Sequence, residues 1–592
     1  MAHANLNGVT ALAQGNRWRL LIPIALFVIA LSIRLVGIGW GLKNELHNQS
    51  YHPDEPVNWM YSQQIEPAKL KFTPGFYKYG TLYLTGLRIV SDMTAAYSGG
   101  PDPKNPDATW AFVSRCHLAG RVLGAIGGAV TVLLVFLMLR RFIGLLGAGA
   151  AAALIAVAPG HVVHSRFQTV DVFATLLLVA SAFFALRLIP EGEEPVPPKA
   201  FMRDLLLSAA FAGLSAGTKY TGALGLVTLL AILFLCHRPR FLKDAAIGFG
   251  VCILAFLVST PGALLEHDKF MEDFGFEMGH AAAGHGLVFA GTSSGFLYHF
   301  GNLQSGIGTI LVLLGLAGLG YAAYRRHKWA IALLVFFVPY YILIGRAQDK
   351  YMRYTFPLYL GVAAGFGYAV SAGQRKGGWG RSVVALGILG LGGVDSGGLV
   401  RTARYTAWML GEDPRDATAR GLKKEADKNP NAVVGLASDP WYWSPPLFLD
   451  SPEPRSVPFP TRMAQMAAAQ HPAVTFYQPP DVPPHTFDDR LITLTKPDFV
   501  VFSTLESTPM TNLLGVDTPT TFASLDKAAQ TERVNRLETG KIAAGQFASF
   551  IQALSADYEL ADLQGEHADP VEDMQYVQPE LYIWKRKAPK TP

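Results

Sequence analysis

The sequence predicts a polytopic α-helical membrane protein of about eleven transmembrane helices, followed by a C-terminal soluble α/β domain on the extracytoplasmic side. Half of the 592 residues are hydrophobic and only 16% are charged. The apolar residues are concentrated in long runs, and a run of about 20 apolar residues crosses a bilayer core. These runs stop after residue 402, where Asp, Pro and Lys become frequent. The composition therefore predicts a membrane domain, 1–402, and a soluble domain, 403–592.

Net charge and cysteine content bear on partners and cross-links. The net charge of +5 is small and comes from basic loops between the apolar runs, so we expect no nucleic-acid partner. The three cysteines are scattered, and none lies in the C-terminal third. Their spacing predicts neither a metal-binding cysteine motif nor a disulfide framework.

The first apolar run, 20–40, follows Arg17 and Arg19. It is longer than the apolar part of a signal peptide, and no cleavage site follows it. We therefore expect a membrane anchor with a cytoplasmic N-terminus, because basic residues stay on the cytoplasmic side. Ten more spans are predicted at about 119–139, 143–159, 170–189, 204–217, 221–236, 245–261, 304–324, 329–345, 355–371 and 382–400.

Lys and Arg cluster in alternate loops between these runs, on the same side as the basic N-terminus. This positive-inside pattern predicts the topology. The opposite side then holds two long extracytoplasmic loops, 41–115 and 262–303, and the whole C-terminal domain. Within that domain, β-like runs occur at 432–437, 473–478, 498–503 and 581–585, and helix-like patterns at 415–428 and 521–556.

The most informative stretch, Tyr51-His52-Pro53-Asp54-Glu55, lies where the chain leaves the first span. Inserting a charged side chain at membrane depth costs roughly 2.5–3.5 kcal/mol of free energy, so such groups usually mark a functional site. An isolated Asp-Glu pair is also typical of a solvated loop. The other polar residues predicted on the same side favour the functional interpretation.

Carboxylates, histidines and fixed cations are predicted to meet at the extracytoplasmic face. A carboxylate can take a proton from a hydroxyl, Lys and Arg can hold a phosphate, and His, Asp and Glu can hold a divalent metal. Together these groups suit transfer from a lipid-borne phosphate to an acceptor at the outer surface. The candidates are Asp54, Glu55, Lys78, Arg121, His161, His164, Asp171, Lys219, His280, His285 and Arg353.

Five stretches, which span most of residues 20–370, carry a family resemblance. They read YHPDEPVNWMYSQQI, GRVLGAIGGAVTVLLVFLMLRR, HSRFQTVDVFATLLLVASA, GLSAGTKYTGALGLV and YMRYTFPLYL. In this order the chain resembles the GT-C glycosyltransferases that use polyprenyl-phosphate sugars. It is most similar to the branch of protein O-mannosyltransferases and lipid A aminoarabinose transferases.

The resemblance implies a role for each matching residue. Asp54 corresponds to the catalytic aspartate, Glu55 is its partner, and Asp171 orients the acceptor or a metal. The donor phosphate would be bound by Lys78, Arg121, Lys219 and Arg353. Lys219 and Arg353 could instead be interfacial snorkelling residues, and Arg121 could be a helix-end anchor.

A divalent metal ion is the one cofactor that these residues could bind. His161 and His164 lie three residues apart, and His280 and His285 belong to the glycine- and alanine-rich stretch GHAAAGHG. Each pair could bind metal or phosphate, or belong to the ordinary loop structure. In the aminoarabinose branch a glutamate precedes the loop lysine, whereas this chain has Tyr77. That departure leaves the dependence on metal undecided.

The resemblance implies an inverting transferase that moves a hexosyl or pentosyl group from a polyprenyl-phosphate donor to an acceptor hydroxyl. The acceptor could be a protein, a lipid or a polysaccharide, and membrane lipids would surround the enzyme. We expect a bacterial cytoplasmic (inner) membrane with a periplasmic C-terminal domain. The alternatives are an oligosaccharide polymerase or ligase, a lipid or solute transporter with mid-span charges and repeated halves, and a non-catalytic subunit.

Overall fold

The computed structural model describes residues 21–284, 286–375, 378–438, 440–447, 473–475, 486–566 and 569–588. The N-terminal part of these residues is almost entirely helical. Its helices are α1 (Leu21–Leu35), α2 (Asp54–Ser62), α3 (Leu82–Ser98), α4 (Pro106–Val157), α5 (Pro159–His164), α6 (Val170–Arg187), α7 (Pro198–Ala216), α8 (Gly225–Cys236), α9 (Phe241–Ser259), α10 (Gly262–Leu265), α11 (His267–Ala283), α12 (Gly295–Ile307), α13 (Thr309–Tyr324), α14 (Lys328–Arg346), α15 (Phe356–Arg375), α16 (Trp379–Gly392) and α17 (Gly398–Leu410).

Long apolar helices make this an integral membrane protein. In the described ranges, five helices are long and apolar enough to cross a membrane, and the bent pair α12 and α13 would be a sixth span. Three shorter apolar helices lie at Leu21–Leu35, Tyr220–Cys236 and Gly380–Gly392. The predicted count of eleven spans is therefore not confirmed, because several predicted runs form helices shorter than a full crossing.

Two glycines change the direction of the chain inside predicted spans. Gly144 has φ of 72° within α4, so the runs predicted as two spans form one helical element with an internal break. Gly308 has φ of 122° and separates α12 from α13, which meet at 111°. Positive φ is accessible to glycine without the steric cost that a Cβ would add.

The C-terminal part contains a five-stranded sheet with the order β2-β1-β3-β5-β4. The strands are β1 (Val433–Leu436), β2 (Ala473–Thr475), β3 (Phe499–Ser503), β4 (Tyr558–Gln564) and β5 (Leu581–Arg586). β1 pairs in parallel with β2 and β3, whereas β5 pairs antiparallel with β3 and β4. Four strands coincide with predicted β-like runs, and β4 is the strand that the sequence patterns miss.

Helices cover both faces of this sheet. They are α18 (Pro414–Lys428), α19 (Thr504–Leu514), α20 (Pro519–Ala523), α21 (Lys527–Asn535) and α22 (Lys541–Asp557). Alternate residues of β3 divide between two cores: Val500 packs with Phe550 of α22, and Val501 packs with Leu422 of α18. The predicted domain boundary at residue 402 falls inside α17, so the passage between the two parts is helical.

Candidate active site

The Asp-Glu motif forms the first turn of α2, with Pro53 immediately before it. Proline suits this position because its fixed φ fits the start of a helix and its missing N–H would have no helical partner. Successive residues of a helix point in different directions. Glu55 therefore turns inward and is fully buried, whereas the Asp54 side chain remains 29% exposed.

Glu55 is bound by an arginine of α4 and by two further donors. Arg121 Nε and Nη2 each lie 2.8 Å from a Glu55 carboxylate oxygen. The hydroxyl of Ser50 and the backbone N–H of Gln168 also donate to this carboxylate, at 2.5 Å and 2.8 Å. Burial by itself would raise the pKa of Glu55, but the charge and hydrogen bonds of Arg121 lower it to about 2. Glu55 is therefore a buried anion that anchors the motif.

Arg121 uses all of its donors inside the protein. Besides Glu55, it donates to the carbonyl oxygens of Ile38 at 2.8 Å and Trp40 at 2.6 Å, and to the Ser50 hydroxyl at 3.2 Å. A guanidinium has five N–H donors, and these contacts account for each of them. The predicted role of Arg121 in binding donor phosphate does not fit this arrangement, because no donor is left for a ligand.

Four of the predicted residues do come together beside α2. Lys219 Nζ lies 2.5 Å from Asp171 Oδ1. Arg353 places Nε 3.8 Å from Asp171 Oδ2 and Nη1 3.6 Å from Asp54 Oδ2. The four come from separate segments: the start of α2, the first turn of α6, the chain after α7, and the 3-10 turn Met352–Thr355 before α15. Two carboxylates and two cations thus form one cluster.

The cations of this cluster are held by aromatic rings. The Lys219 ammonium lies 4.3 Å from the centre of the Tyr354 ring, and the Arg353 guanidinium lies 4.2 Å from that of Tyr351. Such cation–π contacts orient a cation without using its hydrogen-bond donors. Arg353 Nη1 is buried and has no hydrogen-bond partner among the described residues. A cavity of about 10 Å³, lined in part by Asp171, Lys219 and Arg353, lies next to it.

Lys78 is not part of this cluster. Its ammonium lies 4.3 Å from the centre of the Phe276 ring on α11. The neighbouring Tyr77 fixes this loop, because its hydroxyl donates to Glu266 Oε2 at 2.6 Å and its backbone N–H to Asp273 Oδ2 at 2.8 Å. Lys78 thus lies over α11 and apart from the cluster of Asp54, Asp171, Lys219 and Arg353.

His161 and His164, the two predicted histidine ligands whose side chains the structure describes, each lie beside a charged side chain. His161 Nδ1 lies 3.0 Å from Arg34 Nη2, and His164 Nε2 lies 3.5 Å from Asp573 Oδ2. His285 and the side chain of His280 lie outside the described residues. In the part of the chain that the structure describes, no three His, Cys, Asp or Glu side chains are grouped so that they could hold a metal ion.

The C-terminal part of the chain places residues beside this cluster that the sequence patterns did not reveal. Asp573 is fully buried and accepts hydrogen bonds from the backbone N–H groups of Met352, at 3.0 Å, and Arg353, at 3.1 Å. Its neighbour Glu572 is also buried. Burial, reinforced by the charge of Asp573, raises the pKa of Glu572 to about 8 even though Arg353 opposes the shift. In the sequence, the only local feature that marks these two acids is that they form a pair between two apolar residues.

His52, inside the Asp-Glu motif, is also covered by this domain. Its ring lies 5.2 Å from that of Tyr576, and its Nδ1 accepts from the Asp54 backbone N–H at 3.2 Å. Burial lowers the pKa of His52 to about 4, against the opposing effect of the nearby carboxylates. His52 is therefore neutral near pH 7 and supports the start of α2 as a hydrogen-bond acceptor.

The comparison with protein families gives a match within the helical part of the chain. Residues 112–263 match the model of the dolichyl-phosphate-mannose-protein mannosyltransferase family. The match includes Asp171 and Lys219, but it begins after Asp54 and ends before Arg353. It confirms the predicted resemblance to the GT-C glycosyltransferases. The fold and this match thus define the class as an integral membrane protein, of which residues 112–263 are similar to a glycosyltransferase family. No curated protein sequence matches the chain.

Solved structures provide more distant similarities. ArnT from Cupriavidus metallidurans bound to undecaprenyl phosphate is 17% identical, with 68% of this chain and 70% of that chain covered and a TM-score of 0.44. The oligosaccharyltransferase AglB from Archaeoglobus fulgidus is 14% identical, with 86% and 72% covered and a TM-score of 0.49. The Pmt1-Pmt2 complex of S. cerevisiae is 20% identical, with 46% and 36% covered and a TM-score of 0.30. These scores support no comparison of individual residues.

Proposed function

We propose that this protein is an inverting glycosyltransferase that moves a sugar from a polyprenyl-phosphate donor to an acceptor hydroxyl at the outer face of the membrane. The hydrocarbon chain of the donor would lie among the membrane helices, with its phosphate at Lys219 and Arg353. The donor class follows from the family resemblance.

The observation that supports this proposal best is that buried Arg353 Nη1 makes no hydrogen bond within the described residues, although it lies in an ion pair with Asp54. A buried N–H without a partner costs free energy, roughly 1–3 kcal/mol, and a charged one costs more. A phosphate oxygen at this position would remove that cost. The distances of 3.6 Å and 3.8 Å from Arg353 to the two aspartates are longer than hydrogen bonds, so a phosphate could take over these contacts.

Asp54 is the residue that we assign as general base. Its carboxylate is partly exposed and lies beside the cation that would hold the donor phosphate. Asp54 takes the proton of the acceptor hydroxyl while the acceptor oxygen bonds to the anomeric carbon. The bond from that carbon to the phosphate oxygen breaks on the opposite side, so the anomeric configuration inverts. The electron pair remains on the lipid phosphate.

Lys219 and Arg353 would stabilise the charge that grows on the leaving phosphate. Cations fixed in advance in a site shielded from water lower such a barrier, because they need little reorganisation during the reaction. Asp171 holds both cations in place from the first turn of α6. Glu55 and Arg121 would act indirectly, by fixing the helix that presents Asp54.

We further propose that the site faces the outer side of a bacterial cytoplasmic membrane, with a cytoplasmic N-terminus and a periplasmic C-terminal domain. The positive-inside pattern supports this orientation. Nucleotide sugars are cytoplasmic, so a lipid-linked donor suits this side. The acceptor would be a hydroxyl of a protein, lipid or polysaccharide.

The experiment is a transfer assay with the purified full-length protein in nanodiscs. A panel of radiolabelled polyprenyl-phosphate sugars is incubated with membrane extract, and release of the sugar from lipid is followed. A general base contributes roughly 10²–10⁴-fold to rate. We therefore expect Asp54→Asn to lose about 100-fold or more with the donor that the wild type uses.

The matched control is Asp92→Asn, which neutralises an aspartate of the same extracytoplasmic loop. Asp92 is half exposed and pairs with Arg88, one helical turn away on α3. A surface pair of this kind is worth little, so the control should keep wild-type activity. If Asp54→Asn transfers sugar as fast as the control, the assignment of the base is wrong. If the folded wild type turns over no donor, the proposed function is wrong.

A further inference from the structure

We propose that Asp573, in the C-terminal domain, is a positioning residue that orients Arg353 and thereby completes the donor-phosphate site. The inference rests on the proposed function above, because it concerns the cation assigned to the phosphate. It gives the C-terminal domain a defined part in donor binding.

The contacts of Asp573 are made with the backbone that carries Arg353. One carboxylate oxygen accepts from the N–H of Met352 at 3.0 Å, and the other accepts from the N–H of Arg353 at 3.1 Å. These N–H groups open the 3-10 turn Met352–Thr355, where backbone donors have no partner within the turn. A single carboxylate from a distant part of the chain thus satisfies both.

This double contact fixes the direction of the Arg353 side chain. With both N–H groups bound to one rigid group, the peptide planes on either side of Met352 cannot rotate independently. The guanidinium is thereby kept against the Tyr351 ring and between Asp54 and Asp171. An arginine offers a planar array of donors, so a small rotation of this turn would misdirect them.

The burial of Asp573 makes the contact strong. The residue is 0% exposed, and hydrogen bonds from backbone N–H groups to an ionised acceptor are roughly twice as strong as neutral ones. His164 Nε2 lies 3.5 Å from the same carboxylate. Burial lowers the pKa of His164, although the charge of Asp573 acts in the opposite direction.

The chain supplies a matched control four residues earlier. Asp569 also joins this segment to the membrane domain, because its carboxylate accepts from Arg401 and from the Tyr405 hydroxyl on α17. These contacts dock the same segment but do not touch the turn that carries Arg353. Changing the two aspartates separately distinguishes the positioning of Arg353 from simple docking of the C-terminal domain.

The experiment compares Asp573→Asn and Asp569→Asn in full-length protein in nanodiscs. An asparagine can accept from one N–H through its oxygen but presents N–H₂ to the other. We expect Asp573→Asn to raise the KM for the lipid-linked donor roughly tenfold or more. The KM for the acceptor should stay within about threefold of the wild-type value, and Asp569→Asn should keep both within that range. Asp573→Glu keeps the charge but moves it by one methylene, so it should also raise the donor KM. This variant takes the place of Asp573→Asn if the asparagine variant does not fold.

A second readout does not need turnover. The rise in unfolding temperature on adding polyprenyl phosphate, without sugar, is measured for each variant. It should be present in the wild type and Asp569→Asn and reduced in Asp573→Asn. Equal effects of Asp573→Asn and Asp569→Asn in both assays would mean that Asp573 only docks the domain, which overturns the inference. If polyprenyl phosphate stabilises the wild type, and Asp573→Asn reduces that effect, but the wild type transfers no sugar, only the proposed function is contradicted.

Discussion

At the scale of single residues, Asp54 and Glu55 show how adjacent acids acquire different tasks. Both stand in the first turn of α2, but the helix directs one side chain into the protein and the other towards Arg353. Glu55 meets a guanidinium, a hydroxyl and a backbone N–H, whereas Asp54 keeps 29% of its side chain exposed. The buried acid can stabilise the local structure, and the partly exposed acid can contact a substrate.

The charge state of Glu572 provides a test of the buried acid pair. Its pKa in the folded protein is raised from 4.5 to about 8, first by burial and then by Asp573. Between these values the unfolded chain has lost the proton that the folded protein still holds. The free energy of unfolding should therefore fall as the pH rises through this window. Glu572→Gln removes the titrating group, so it should make the variant more stable than the wild type near pH 8, by roughly 2–4 °C or more in unfolding temperature.

The measurement is a series of unfolding temperatures from pH 5 to pH 9 in one detergent. The difference between Glu572→Gln and the wild type should be small at the acid end and grow towards pH 8. Parallel curves would show that Glu572 ionises as it does in the unfolded chain. Glu572 would then be ionised at neutral pH and add its negative charge to the acid pair beside Arg353.

At the scale of secondary structure elements, hydropathy located the apolar segments but not their continuity. A break at Gly144 leaves α4 as one element, and a sharp turn at Gly308 joins two helices where one span was predicted. A hydropathy window counts apolar residues, whereas a break depends on one backbone dihedral. The sequence therefore predicts the positions of the apolar segments more accurately than the number of membrane spans they form.

Close helix packing gives a prediction for α13 and α15. Gly318 faces α15, where an added Cβ would overlap the carbonyl oxygen of Gly365. Small residues at such crossings let two helical backbones approach each other in a membrane. Gly318→Ala should therefore destabilise the protein by roughly 1–3 kcal/mol, because the helices must move apart. The measurement is thermal unfolding in detergent.

Gly320 of the same helix is the control for this prediction. A Cβ at Gly320 would meet no atom within 4 Å. Gly320→Ala should therefore keep or slightly increase stability, because alanine favours the helix over glycine by about 1 kcal/mol. Equal losses in the two variants would mean that α13 does not pack through the face that contains Gly318.

At the scale of the whole molecule, the C-terminal domain interlocks with the chain around the Asp-Glu motif. Asp413 Oδ2 accepts from Trp40 Nε1 at 3.1 Å, and Asp416 accepts from the Tyr51 hydroxyl and from Asn44 Nδ2 at 2.7 Å. These contacts fall just before the motif and at its first residue, Tyr51. Together with the contacts of Asp573 to Met352 and Arg353, they tie the C-terminal part of the chain to both segments that contain Asp54 and Arg353.

The orientation in the membrane is tested by labelling from one side. Single cysteines are introduced by Lys541→Cys in the C-terminal domain and by Arg325→Cys in a basic loop, both at exposed positions, with the native cysteines replaced. The positive-inside pattern predicts that an impermeant maleimide labels the Lys541→Cys variant in intact spheroplasts. The Arg325→Cys variant should react only after permeabilisation. The reverse pattern would place the site on the cytoplasmic side and contradict the use of the outer face.

The sequence by itself predicted an integral membrane protein and pointed to most residues of the candidate site. Apolar runs and basic loops are local patterns, and the motif stretches around Asp54, Asp171, Lys219 and Arg353 carried the family resemblance. Their convergence on one cluster, however, depends on how separate helices pack. Sequence reasoning grouped Arg121 and Lys78 with them, yet packing directs Arg121 to Glu55 and Lys78 to Phe276.

Only the tertiary structure decided the part played by the C-terminal domain. Asp573 contacts a turn 220 positions earlier in the chain, and the sequence marks it only as one member of an acid pair between apolar residues. Glu572 is the other member of that pair, and its pKa is raised first by burial and then by the charge of Asp573. Periodicity and composition indicate the secondary structure and the membrane segments of the chain. The contacts of each residue depend instead on how distant segments pack.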